Sequence, residues 1–117
     1  MDIMLFDAAA VRNIRPLYAE NPDMLDTCKA WRNGEAYLQM AYNAYYTNFE
    51  TALINTWFLA KTVYPTLFED IDMTEKTNAV TKAFLGMELA DAIFACPASY
   101  GGYQKIDTEN FFQANAS

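Results

Sequence analysis

The segment from Glu35 to Tyr64 most constrains the fold, because it is the longest stretch of the chain without glycine or proline. At about 100° per residue, its apolar side chains gather on one side of a helix and most of its polar ones on the other. We therefore predict an aromatic-rich amphipathic helix over residues 35–64 with its apolar side buried. That side contains Leu38, Ala41, Tyr42, Tyr45, Phe49, Ala52, Leu53, Ala60 and Val63.

Two shorter helices are predicted before this segment. Asp7 can cap a first helix over residues 7–19, in which Pro16 must introduce a kink or an end. The Asn-Pro-Asp sequence at residues 21–23 is typical of a helix start, because it places proline at the first helical position. It predicts a second helix over residues 22–32.

A further helix and a tail are predicted after the long segment. The acid-led spacing at residues 72–75 resembles a capping box and predicts a helix over residues 74–95. Residues 96–117 are predicted to form a loop and a docked tail, in which the rings of Phe111 and Phe112 pack against the rest of the chain. The apolar stripe predicted for the helix is Val80, Ala83, Phe84, Met87, Ala90 and Phe94.

Together these segments predict an all-α fold. No part of the sequence shows the sustained two-residue alternation that is typical of strands. A chain of 117 residues fits one domain and can bury an ordinary core. We therefore expect residues 1–117 to form a compact single-domain helical bundle of about four to five helices around the long central helix.

Composition favours a globular protein in a reducing compartment. The chain is 53% hydrophobic and 20% charged, which is unlike a disordered protein. Cys28 and Cys96 match no metal-binding or redox spacing, and we predict two reduced thiols, with a single disulfide as the alternative. The acids near the N-terminus are unlike a signal peptide, and the most apolar window, Ala52 to Ala60, is too short for a membrane span. We expect a cytoplasmic protein, or one of the host cytoplasm if the source is viral.

The sequence offers little catalytic chemistry. It contains no histidine, which is the commonest general base and a frequent metal ligand. It also contains neither of the glycine-rich phosphate-binding motifs. Glu88 and Asp91 form the best carboxylate pair, but such acids more often pair with a basic side chain or with water. We predict no enzyme activity, no cofactor and no metal.

The acids point to a partner. A net charge of −7 disfavours direct nucleic-acid binding. Four of the acids lie within residues 69–75, in a segment without the glycine and regular oxygen spacing of a calcium loop. These acids either form a solvated helix start or bind a basic protein surface.

Aromatic residues provide a second indication of binding. Trp57 and Phe58 point away from the predicted apolar side of the long helix, so either another helix of the chain or a partner covers them. Tyr100 and Tyr103 add two rings on a glycine-rich loop. A homodimer would bury such residues as well as a foreign partner would.

These patterns predict a non-enzymatic protein-binding protein. We expect it to occlude a basic, nucleic-acid-binding surface of a host complex, as phage or mobile-element accessory inhibitors such as anti-CRISPR proteins do. A self-assembling structural or virion component and an enzyme of unrecognised type are the alternatives. The candidate partner-binding residues are Glu69, Asp70, Asp72, Glu75, Trp57, Phe58, Tyr100 and Tyr103.

Overall fold

The computed structural model of the protein describes residues 3–44 and 46–114, with the backbone alone described for residues 43, 44, 46, 47, 113 and 114. The first half contains β1 (Met4–Asp7), a 3₁₀ turn (Ala8–Ala10), α1 (Val11–Glu20), α2 (Asp23–Asp26), α3 (Lys29–Arg32), β2 (Ala36–Gln39), β3 (Asn43–Ala44) and β4 (Tyr46–Thr47). The second half contains α4 (Phe49–Val63), α5 (Met73–Leu85), α6 (Ala90–Ala95), a 3₁₀ turn (Pro97–Ser99), β5 (Gln104–Lys105) and α7 (Phe111–Ala114).

The fold is mixed α/β, so the prediction of an all-α bundle is wrong. The described residues form two compact units, one within Met1–Gln39 and Gln104–Ser117 and the other within Met40–Tyr103. The first unit contains a three-stranded sheet in the order β1-β2-β5. The prediction that residues 1–117 form a single domain stays a prediction.

The sheet of the first unit is built around β2. This strand pairs in parallel with β1 and antiparallel with β5. Ala36 and Leu38 are fully buried, whereas Tyr37 and Gln39 are half-buried, as the two-residue period of a strand requires. The helix predicted over residues 35–64 is therefore wrong in its first part.

Aromatic rings form the core of the first unit. Trp31 stacks on Phe112 with ring centroids 5.5 Å apart, and Phe6 meets both rings edge-on. Tyr18 closes the group at 5.3 Å from Phe112. Each such pair contributes about 1 kcal/mol beyond the area it buries. Phe111 and Phe112 are buried, which confirms the prediction that the tail docks through these two rings.

The second unit is mainly helical. α4 begins only at Phe49, after the short hairpin of β3 and β4, and it packs against α5. Its buried face contains Ile54 and Phe58, whereas Phe49, Leu53 and Val63 are exposed. The predicted direction of burial is thus wrong, because the helical pattern was taken over residues 35–64, whereas residues 35–44 and 46–48 do not belong to this helix. Tyr45 of the predicted apolar side lies outside the described residues.

The helix predicted over residues 74–95 is interrupted in the middle. α5 ends at Leu85 and is capped by Gly86, which adopts a positive φ of 78° that favours glycine, and α6 begins four residues after Gly86. Of the predicted stripe, Val80 and Ala90 are buried, whereas Phe84 and Met87 are exposed. None of the helices within residues 3–44 and 46–114 combines the length and the apolar character that a membrane crossing requires.

Candidate partner-binding surface

The acidic connector, which we define as residues 67–75, links α4 to α5 and carries the four predicted acids. Glu69, Asp70, Asp72 and Glu75 are all exposed. The connector turns back on itself, since the backbone N–H of Ile71 donates to the carbonyl of Phe68 at 3.0 Å. Within the described residues no salt bridge involves any of these carboxylates, so their charges face solvent.

Asp72 has a structural task that the other three acids lack. Its carboxylate accepts a hydrogen bond from the backbone N–H of Glu75 at 3.0 Å and caps α5, which confirms the predicted helix start. The cap holds the connector against the helix. Glu69 and Asp70 make no comparable bond among the described residues and are therefore the acids most available to a partner.

The neighbouring lysines hold the connector to α4 without pairing with its acids. The Lys61 ammonium donates to the carbonyl of Ile71. The Lys76 ammonium lies 4.2 Å from the centroid of the Trp57 ring, within the range of a cation–π contact. Trp57 also meets Phe68 edge-on at 6.2 Å. These contacts stabilise the connector while leaving its negative charge exposed.

An open cleft of about 250 Å³ lies beside the acids. It is lined by Asp70, Ile71, Asp72, Glu75, Lys76 and Ala79. A cleft with three carboxylates suits an ammonium or guanidinium group, because charge-assisted hydrogen bonds to such donors are among the strongest in proteins. In the part of the chain that the structure describes, no group of three acidic or cysteine side chains could hold a metal ion.

The structure separates the predicted aromatic candidates. Trp57 is half-buried beside the acidic connector, as described above. Phe58 is buried and packs on Tyr103 with ring centroids 4.8 Å apart, so both rings contribute to the interior of the second unit. Tyr100 is half-buried in a left-handed conformation with φ of 50°. Only Trp57 is brought together with the acids.

A buried polar cluster was missed by the sequence analysis. The Tyr103 hydroxyl donates to Oδ1 of Asn55 at 2.6 Å, and Nδ2 of Asn55 donates to the Met40 carbonyl at 2.8 Å. Burial raises the pKa of Tyr103 well above its usual value. Tyr103 also lines a cavity of about 220 Å³. Every polar atom of this cluster is partnered, so we assign it a structural role.

No protein-family model and no curated protein matches the chain. The function must therefore be inferred from the arrangement of its own residues.

Two exposed apolar residues that the sequence analysis missed lie directly before the acids. Tyr64 is 59% exposed and Leu67 is 74% exposed. Pro65 could have indicated them, since a proline disfavours helical geometry in the residue before it. Tyr64 and the residues after Pro65 therefore lie outside α4. Apolar and acidic side chains thus follow one another from residue 64 to residue 70, as in protein interfaces that combine apolar anchors with charged contacts.

The carboxylate pair considered for catalysis lies at the start of α6, outside the acidic connector. Glu88 and Asp91 are both exposed, and Glu88 lies before α6 whereas Asp91 lies in its first turn. Exposed carboxylates of this kind resemble solvated surface groups more than a catalytic pair. The acidic connector is the better candidate for a functional surface.

Proposed function

We propose that this protein binds another protein through the acidic connector, which includes the exposed Leu67, and through the adjacent Tyr64. The observation that carries the proposal is the exposure of Glu69 and Asp70 without a salt bridge among the described residues, next to two large exposed apolar side chains. Exposed charge of one sign steers association with a surface of the opposite sign. The partner surface is therefore basic.

A basic partner surface also accounts for the overall charge. A net charge of −7 repels the protein from nucleic acid and attracts it to the basic protein surfaces that bind nucleic acid. The connector would cover such a surface, and Tyr64 and Leu67 would exclude water from the contact. The proposal extends to an anti-CRISPR-like inhibitor acting in the cytoplasm, where the free thiols of Cys28 and Cys96 stay reduced.

The proposal is tested by reversing the charge of the two unpaired acids. Tagged wild-type protein and the double variant Glu69→Lys with Asp70→Lys are used to capture proteins from lysate of the native host, which are identified by mass spectrometry. Asp72 is left intact because it caps α5. We expect the wild type to capture a basic protein that is lost at high salt, and the variant to bind it at least about tenfold more weakly.

The matched control reverses two exposed acids elsewhere. Glu20→Lys with Glu109→Lys gives the same net charge, and both residues are exposed outside the second unit. We expect this control to bind the partner within about twofold of the wild type, since surface changes away from an interface have small effects. Equal loss of binding in both variants would mean that net charge alone acts, and unchanged binding in the connector variant would refute the proposal.

A further inference from the structure

We propose that the exposed face of α4 pairs with the same face of a second copy of the chain, antiparallel and about a two-fold axis at Thr56. The face, which we call the α4 seam, lies opposite the buried Ile54 and Phe58. It shares no residue with the acidic connector or with Tyr64, so the two proposals are tested by different substitutions. The seam consists of Phe49, Ala52, Leu53, Thr56, Leu59, Ala60 and Val63.

The seam has the spacing and the exposure of an unpaired helix interface. Its residues recur at intervals of three and four, which places them along one side of the helix. Phe49 is 73% exposed, Leu53 and Leu59 are each 40% exposed, and Val63 is 42% exposed. These four side chains expose on the order of 300 Å² of apolar surface, comparable with the largest patch on a typical monomer.

The residue types of the seam are nearly symmetric about Thr56, and this symmetry fits a second copy of the chain as the occupant. Leu53 and Leu59 lie three residues to either side of Thr56, Ala52 and Ala60 lie four, and Phe49 and Val63 lie seven. In an antiparallel pair with its axis at Thr56, each residue therefore meets its symmetric counterpart. A two-fold interface requires such self-complementarity, which a foreign partner does not.

Leucine meets leucine and alanine meets alanine in this arrangement. The large terminal residues, Phe49 and Val63, close the two ends of the contact. The alanines allow the helix axes to approach toward the lower end of the usual range of about 8–10 Å.

Charge supports the same occupant. All seven residues of the seam are uncharged, although the chain as a whole carries a net charge of −7. Two copies can therefore meet along the seam without bringing like charges together. A basic partner would find no acid on this face and is better matched by the acidic connector.

The size of the seam predicts a weak dimer. With the flanking atoms of Thr56 and the alanines, two copies would bury on the order of 1,000 Å², at the lower end of specific protein interfaces. We expect dissociation in the micromolar range, with the fraction of dimer rising with concentration.

The experiment exploits the predicted contact between Leu53 and Leu59 of the second copy. Sedimentation equilibrium is measured for the wild type, for Leu53→Glu and Leu59→Lys separately, and for the two changes combined. We expect each single variant to raise the dimer dissociation constant on the order of 100-fold, because one charge is buried twice without a partner. In the combined variant each new glutamate faces a new lysine, and we expect the dimer to return.

The combined variant distinguishes an antiparallel pair from a parallel one. In a parallel pair the new residues would meet their own kind, and the dimer would stay lost. Leu85→Glu is the matched control, since Leu85 is an exposed leucine at the end of α5 and outside the seam. A monomeric wild type, a dimer that survives the single changes, a combined variant that stays monomeric, or an equal loss in Leu85→Glu would each overturn the proposal.

Circular dichroism of every variant shows whether the chain is folded. Leu53 and Leu59 are each 40% exposed in the single chain and lie outside its buried core, so we expect spectra like that of the wild type. Recovery of the dimer in the combined variant does not depend on the folding of the single variants. This measurement therefore keeps the proposal falsifiable if one of them fails to fold.

Discussion

At the scale of single residues, Asn55 is the most informative side chain. It lies on the buried face of α4, where an apolar residue would be usual. Its side-chain amide makes the two backbone hydrogen bonds with Met40 that a neighbouring strand would otherwise make. Its Oδ1 accepts from the Met40 N–H at 3.2 Å while its Nδ2 donates to the Met40 carbonyl at 2.8 Å. A buried backbone N–H or carbonyl without a hydrogen-bond partner has given up its hydrogen bonds to water without replacing them, which lowers the stability of the folded protein.

Asn55→Leu should therefore destabilise the protein strongly, although it adds apolar volume. The change leaves the N–H and carbonyl of Met40 and the Tyr103 hydroxyl without these partners, and we expect a loss of about 3 kcal/mol in the free energy of unfolding. Urea denaturation measures it. The control is Asn13→Leu on an exposed position of α1, which should change the stability by about 0.5 kcal/mol or less. Similar losses in both variants would contradict the role given to Asn55.

At the scale of the elements, α5 and α6 show how side chains divide one helical pattern into two helices. After Gly86, side chains of α5 cap the N-terminus of α6, and the residue directly before α6 makes no side-chain cap. Asn78 accepts from the Ala90 N–H at 2.9 Å, and Thr81 accepts from the Leu89 N–H at 3.1 Å. The buried Ala90 lets the two helices meet closely at this point.

The loop after α6 approaches that helix so closely that only glycine fits. A Cβ atom on Gly102 would lie 2.5 Å from Cδ1 of Phe94, and φ at this residue is 95°. Gly102→Ala should therefore lower the free energy of unfolding by about 3 kcal/mol or more, through strain and overpacking.

The matched control for this change is Gly86→Ala. Gly86 also has a positive φ, of 78°, but a Cβ atom there would meet nothing within 4 Å. We expect a loss of about 1 kcal/mol from the backbone conformation alone. Thermal unfolding of the two variants separates strain from steric conflict, and equal losses would show that the contact with Phe94 is relieved without cost.

At the scale of the whole molecule, each of the two units contains a tyrosine that resists ionisation. Burial, followed by the hydrogen bond to Glu35, raises the pKa of Tyr37 from its usual 10 to about 12. Burial raises the pKa of Tyr103 in the second unit as well. In both cases the folded protein favours the neutral phenol.

Stability should consequently fall in alkali. Because the unfolded chain ionises its tyrosines first, the contribution of Tyr37 is fully present below pH 10 and is lost as the pH rises through 12. The contribution of Tyr103 also begins to fall above pH 10 and persists to higher pH. We expect the decline of the unfolding free energy over this range to be shallower in Tyr37→Phe and in Tyr103→Phe than in the wild type. Denaturation at a series of pH values measures these slopes. Slopes equal to that of the wild type would show that these tyrosines do not link stability to pH.

Local signals allowed part of this structure to be predicted from the sequence. The cap at Asp72, the start of a helix after Asp7 and the docking of Phe111 and Phe112 depend on residues within one or two turns or on strongly apolar rings. The exposure of the connector acids follows from the high free-energy cost of burying an unpaired charge. Local residue patterns therefore predict the helical turn after Asp7, the start of α5 and the charged surface, but not the starts of α4 and α6.

The other features of the fold depend on contacts between residues that are far apart in the chain. Residues 36–39 form a strand because β1, more than thirty residues earlier, supplies backbone hydrogen bonds in register from Met4 to Asp7. Because α4 begins only at Phe49, packing within the second unit buries Ile54 and Phe58, the latter against Tyr103, and leaves Phe49 and Leu53 exposed. Hydrophobic periodicity describes which residues share a face, but the free energy of burial depends on which neighbour arrives to cover it.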